Sequence, residues 1–189
     1  ADKQQIQNLK SCLGLKVATG TQDSGIRFNH KKCFRVQWGD VVLYQFFLCI
    51  GITPRKSKTL GSLAIPDEYF FDFLRGSFDG DGSFYSYFDP RWKSSYMYYL
   101  SFNSASPRHI SWLQDTLSRL LGVKGHISQT GEIKGQKGWM GSLRYAKAES
   151  FLVLRAMYST KCKVCLARKR LKIERALRIV NKSLSPACS

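Results

Sequence analysis

The feature that most constrains the fold is a repetition in the order of elements. Residues 6–15 (IQNLKSCLGL) and residues 110–123 each read as an amphipathic helix ended by glycine and followed by strand-like sequence. Residues 33–38 (CFRVQW) line up with residues 141–145 (GSLRY), both as the second strand of a hairpin. Residues 41–47 (VVLYQFF) then match residues 150–154 (SFLVL) as a helix, and residues 53–58 (TPRKSK) match residues 159–163 (STKCK). Identity between the copies is low, but the order is shared, so the chain holds two helix–strand–strand–helix units. The second copy has an addition. Pro66, Asp67 and Glu68 start a helix that runs through Phe78, with acids complementing the N-terminal dipole. Strands over 83–88 and 96–103 follow around a polar turn at 89–95.

This pattern predicts an α+β protein whose second unit is αββαββα and whose first enters midway, without its leading αββ. The expected boundaries are 1–60 for the partial unit, 61–66 for a linker, 67–182 for the complete unit and 183–189 for a tail. A basic helix over 166–181 places Ile173, Leu177 and Val180 on one side; its Lys/Arg excess is either a solvated face or a phosphate-contacting one.

Charge narrows the partner. With 30 Lys+Arg against 13 Asp+Glu the chain carries +17, which repels itself in the folded state and favours a polyanion, with an acidic membrane surface second. No stretch resembles a membrane span or a secretory apolar segment, so an intracellular protein of a prokaryotic cytoplasm or an organelle, not a secreted one, is expected. Six cysteines, several in apolar runs such as 46–50 (FFLCI), fit reduced thiols behaving as small hydrophobes. The lone C-x-x-C at Cys162 and Cys165 lacks the second ligand pair of a structural zinc site. His30, His109 and His126 show no metal-ligand spacing and read as surface residues.

Against that basic background, residues 71–88 (FDFLRGSFDGDGSFYSYF) place Asp79 and Asp81 between Gly80 and Gly82 at a helix-to-strand junction. Carboxylates at a helix C-terminus oppose the macrodipole, at a cost of up to ~1 kcal/mol that a bound cation offsets. One reading is a helix stop and turn; the other is a site for Mg²⁺ or Ca²⁺, completed by waters and a substrate phosphate. A calcium-binding EF-hand loop is excluded, because the positions needing Gly and Glu hold Phe84 and Pro90. Gly76, inside a bulky helix, costs ~1 kcal/mol against alanine and predicts a second helix packed backbone to backbone.

Residues 74–82 (LRGSFDGDG) resemble the LAGLIDADG motif of homing endonucleases, matching Leu, Gly, Asp, Asp and Gly at its positions one, three, six, eight and nine. The αββαββα unit is similar to the family's repeat, and the similarity extends over nearly the whole chain. The resemblance implies paired motif helices at a pseudo-twofold axis and saddle-shaped antiparallel sheets in the DNA major groove. It implies a metal-dependent DNA endonuclease that hydrolyses phosphodiester bonds at a long target. Asp81 would be the catalytic metal ligand, with Mg²⁺ as cofactor and Ca²⁺ substituting for binding without cleavage. Gly76 and Asp79 would lie at the motif-helix interface, and Lys163 and Lys58 near the scissile phosphate. The family's single-chain members carry two motifs and this sequence shows one. Accordingly a second chain or a second copy completes the site, or catalysis is lost. In the last case the chain is a DNA-binding regulator or an intron RNA splicing cofactor (a maturase).

Strand alternation supplies the double-stranded DNA surface. Phe84, Phe88, Leu100 and Phe102 face the helices, leaving Ser83, Tyr85, Tyr87, Tyr99, Ser101 and Asn103 outward. The tip adds Arg91 and Lys93. One further hairpin adds Lys124, His126, Gln129 and Lys134, and the other Arg27, Asn29, Lys31, Arg35 and Gln37. Lys and Arg position phosphates, whereas Asn, Gln and Arg read base edges, Asn103 suiting adenine.

Overall fold

The computed structural model describes residues 2–23, 32–130, 139–158 and 164–184. Helix α1 (Lys3–Cys12) precedes the antiparallel hairpin β1 (Gly20–Asp23) and β2 (Lys32–Arg35), helix α2 (Val41–Cys49) and a 3-10 turn at Lys56–Lys58. Helix α3 (Asp67–Asp81), β3 (Ser83–Phe88), β4 (Tyr96–Ser104), α4 (Pro107–Leu121), β5 (His126–Thr130), β6 (Met140–Ala146), α5 (Lys147–Met157) and α6 (Ala167–Ile179) follow. The protein is α+β, its second part an antiparallel sheet of order β3-β4-β6-β5. Among the described residues no helix is long and apolar enough to cross a membrane.

Sequence periodicity explains how helices cover one face of this sheet. Phe70, Leu74 and Phe78 recur at four-residue intervals on α3, and Ile110, Leu113 and Leu117 form the equivalent stripe on α4; all six are buried. They meet Phe84, Leu100, Phe102, Leu143 and Tyr145 of the sheet and Ile173 and Leu177 of α6 in a single cluster. Ser150 completes it, its hydroxyl donating to Tyr145 O at 2.6 Å while accepting from the Leu100 amide at 3.2 Å. Burial of these side chains, at ~1.5–3 kcal/mol each, is what fixes the sheet on the helices.

Several elements depart from the sequence expectations. Helix α3 does not stop at Phe78 but runs on through Asp81, because its last carbonyls find partners: Lys169 Nζ donates to Phe78 O at 2.5 Å and to Gly82 O at 2.7 Å. Phe88 is 55% exposed at the strand end, where it meets the edge of Tyr96 at 4.8 Å between ring centroids. Helix α2 buries no residue among those described, with Val41, Val42, Tyr44 and Phe46 exposed, and Cys49 and Cys12 are exposed thiols instead of core ones. The expected linker is held in place: Leu63 is buried, and just before it Ser106 Oγ donates to Leu60 O at 2.5 Å.

His109 is buried, not a surface residue. Its Nδ1–H donates to Gly61 O at 3.0 Å and its ring lies 5.2 Å from Trp112. Burial pushes its pKa below the ordinary 6.5, only partly offset by the carbonyl. A depressed histidine contributes stability that is present above about pH 6.5 and lost as pH falls through the folded value. The melting temperature of the wild type is therefore expected to fall on acidification below 6.5, and that of His109→Gln to fall less over that window.

Candidate functional site

The end of α3 is built by close packing. A Cβ at Gly82 would lie 2.7 Å from Phe78 Cα and 2.9 Å from Phe78 O, so only glycine lets the chain leave the helix there and enter β3 directly. That turn delivers the two aspartates to different surroundings.

Asp79 points inward. Its carboxylate accepts the Leu166 amide at 2.8 Å, where α6 begins, and its other oxygen has no partner. Burial pushes its pKa up, opposed by that amide and by Lys169, Arg75 and Arg168. Its role is to seat the N-terminus of α6. Gly76, expected to touch a second helix, faces open space: a methyl group added at its Cα would meet nothing within 4 Å. Instead α1 crosses nearer the helix end, where Gln5 Nε2 would lie 3.5 Å from a Cβ at Gly80. Between α1 and α3 lies an open groove of about 520 Å³, lined by Leu9, Cys12, Gly76 and Asp79 among others. With that space open, Gly76→Ala is expected to stabilise the folded chain by up to ~1 kcal/mol, measured by chemical denaturation.

Asp81 points outward. It is exposed at the mouth of a cavity of about 600 Å³ that also holds Lys56, Ser57, Ser77, Asn103 and His109. Asn103 Nδ2 donates to the Asp81 carbonyl at 3.3 Å, so this amide fixes the backbone of the site and has one donor fewer for a base edge. Lys58 is exposed on the same 3-10 turn but does not line the cavity; Lys56 does. Lys163 lies outside the described residues. The carboxylates at the helix end call for a compensating cation, and Lys169 supplies one. Its ammonium sits 4.7 Å over the Phe78 ring, its pKa lowered chiefly by burial and raised by Asp79 and Asp81.

Among the described residues no three His, Cys, Asp or Glu side chains converge on a metal position. The donors at the cavity still fit a hard divalent cation. They comprise the Asp81 carboxylate, the Ser77 hydroxyl and the Asn103 amide oxygen, with room for waters and a phosphate, which is the sparse set Mg²⁺ accepts.

The outer sheet face follows from the register. Ser83, Ser101, Arg144 and His126 lie in one row across all four strands, and Tyr85 pairs with Tyr99 in the next. Ser83, Tyr85, Tyr87, Tyr99, Asn103 and His126 occupy the expected face. Ser101 faces the same way but is only 4% exposed, bonded to Ser83 Oγ at 2.7 Å beneath its neighbours, so it offers no contact surface. Gln129, opposite Gly141, shares the parity of Ile127 and lies on the helix side, contrary to expectation. Arg91 is exposed and held to the buried Asp89 through Nε and Nη2, each at 3.2 Å; its guanidinium holds the Asp89 carboxyl below the usual range. Lys93 and Lys124 are exposed. Arg35 bonds Gln37 and reaches Gln22 at 3.4 Å, so the two predicted readers on β2 and beyond it partner each other. Arg27, Asn29, Lys31 and Lys134 lie outside the described residues.

Three functional candidates escaped sequence reasoning. Arg144, central on the outer face with its guanidinium 5.8 Å from the Tyr85 ring, was legible from alternation in residues 141–145. Lys56 and Lys169 carried no local signal, because only tertiary packing brings them to α3. No family model matches the chain, and no curated protein is significantly similar to it.

Proposed function

We propose that the chain is part of a LAGLIDADG-type homing endonuclease, a sequence-specific, divalent-metal-dependent hydrolase of double-stranded DNA. The observation that carries the reading is the position of Asp81. A tightly turned glycine brings its carboxylate out of the core into a cavity shared with Lys56, and Asn103 ties its backbone to the outer sheet face. Bound Mg²⁺ at such a site polarises a phosphate and lowers the pKa of a coordinated water. The chain's own groups would do the rest. Asp81 holds the cation and Lys56 offsets phosphate charge. Arg91, Lys93 and Arg144 would grip the backbone and set the register of the duplex.

In this reading the groove over Gly76 receives a second motif helix, from another chain or a second copy, its floor already carrying the unpartnered Asp79 oxygen. The test is selection from a randomised duplex pool. Cut ends sharing one sequence with Mg²⁺, and none with Ca²⁺, are expected. Salt-sensitive binding without cut ends would instead support a non-catalytic DNA-binding regulator.

A further inference from the structure

The outer sheet face carries a feature that contact with base edges and phosphates does not by itself explain. Tyr85 and Tyr99, opposite each other on β3 and β4, stack with centroids 4.9 Å apart and planes 14° apart. Tyr87 lies parallel to both, 6.4 Å from Tyr85 at 2° and 6.3 Å from Tyr99 at 13°. Hydrogen bonding with Tyr87 and partial burial push the Tyr99 phenol above its ordinary pKa. Cations border the trio: Arg144 stands over Tyr85, and Arg91 interacts electrostatically with Tyr87 and Tyr99.

Packing alone leaves one ring unexplained. A cross-strand aromatic pair stabilises a hairpin, and Tyr85 with Tyr99 already forms one. Tyr87 adds a third parallel ring and remains 41% exposed. Duplex DNA gives it little, because paired bases have both faces covered by their neighbours and show a protein only edges and phosphates. Unpaired bases present free faces, and stacking on aromatic rings beside cations is how a basic surface retains them.

From this geometry we infer that Tyr85, Tyr87 and Tyr99 form a stacking platform for unpaired nucleobases, so that this face binds single-stranded nucleic acid as well as duplex. The inference stands apart from the endonuclease reading, since it needs neither Asp81 nor a metal. It also goes beyond it, by assigning a ligand class to ring faces that a groove reader leaves idle.

The experiment measures fluorescence anisotropy of labelled oligothymidylate, oligouridylate and a mixed-sequence duplex in chelator. Tyr87→Ala and Tyr87→Leu are each expected to weaken single-strand binding about tenfold, and duplex binding by a clearly smaller factor. Tyr87→Phe, which keeps the ring face, is expected to bind single strands like the wild type. The leucine variant retains apolar cover and guards against loss of folding, checked by circular dichroism. The oligonucleotide bound more tightly names DNA or RNA as the source of the bases. Equal losses on duplex and single strand, or a Tyr87→Phe as weak as Tyr87→Ala, would overturn the inference, as would a wild type that binds no single strand.

Discussion

Asp81→Asn is expected to abolish metal-dependent cleavage of a selected duplex while leaving duplex binding within about twofold of wild type. Asparagine keeps the size of the side chain and, because the residue is exposed, leaves the core untouched. What it removes is the one carboxylate that the described residues bring to the cavity shared with Lys56 and Asn103. Losing the ligand that seats a catalytic cation forfeits several kcal/mol of charge stabilisation, a fall on the order of a thousandfold or more in rate. Asp79→Asn should behave differently. Asp79 seats the N-terminus of α6, and its raised pKa means that ionisation costs stability in the folded state. The comparison separates the two acids: one variant loses turnover, the other alters stability. Gel assays of cleavage and anisotropy of binding, run on the same preparations as the denaturation curves, measure both.

The second large effect falls on stability. Arg75→Met is expected to destabilise the chain by about 3 kcal/mol, read from chemical denaturation. Arg75 is 8% exposed; its Nη1 donates to Met157 O at 2.7 Å, its Nε to Val164 O at 2.9 Å, and it pairs with Asp72. Methionine fills the volume but satisfies neither carbonyl, and each buried acceptor left without its donor costs ~1–3 kcal/mol. Arg75→Lys should recover only part of the loss, because one ammonium on a flexible stem does not reproduce the planar fork. The two carbonyls flank the segment that holds Lys163. Arg75 thus ties α3 to both ends of that connection, and its loss should also lower the yield of folded protein.

Much of the framework was readable from pattern because each element advertises itself locally. The stripe of Phe70, Leu74 and Phe78 and the alternation of Phe84 with Tyr85 specify a helix and a strand without reference to the rest of the chain. Face parity is equally local: alternation places Tyr85, Tyr87 and Tyr99 correctly, whereas Gln129, assigned with its hairpin and without alternation, shares the parity of Ile127, opposite to that of His126. Coverage is another matter. Ser101 faces outward yet is buried by neighbouring strands and side chains, and Phe88 faces inward where the covering layer has ended. The site shows the same division. Asp81 and Gly82 stand out in sequence, since two acids and two glycines at a helix end demand an explanation. Lys169 lies 91 positions from Phe78, and nothing near either residue signals that its ammonium closes the helix.

Lys169 also changes what the acids at the end of α3 require. They are not uncompensated, so the helix does not need a metal in order to fold. In the proposed reading, a cation at Asp81 therefore serves function and not folding. The most direct measurement is Mn²⁺ binding by electron paramagnetic resonance in the presence of duplex, on the wild type and on Asp81→Asn. Saturable binding is predicted for the wild type and at least a tenfold weaker affinity for the variant, corresponding to ~1.4 kcal/mol or more. Equal Mn²⁺ affinity in the two proteins would contradict the role given to Asp81.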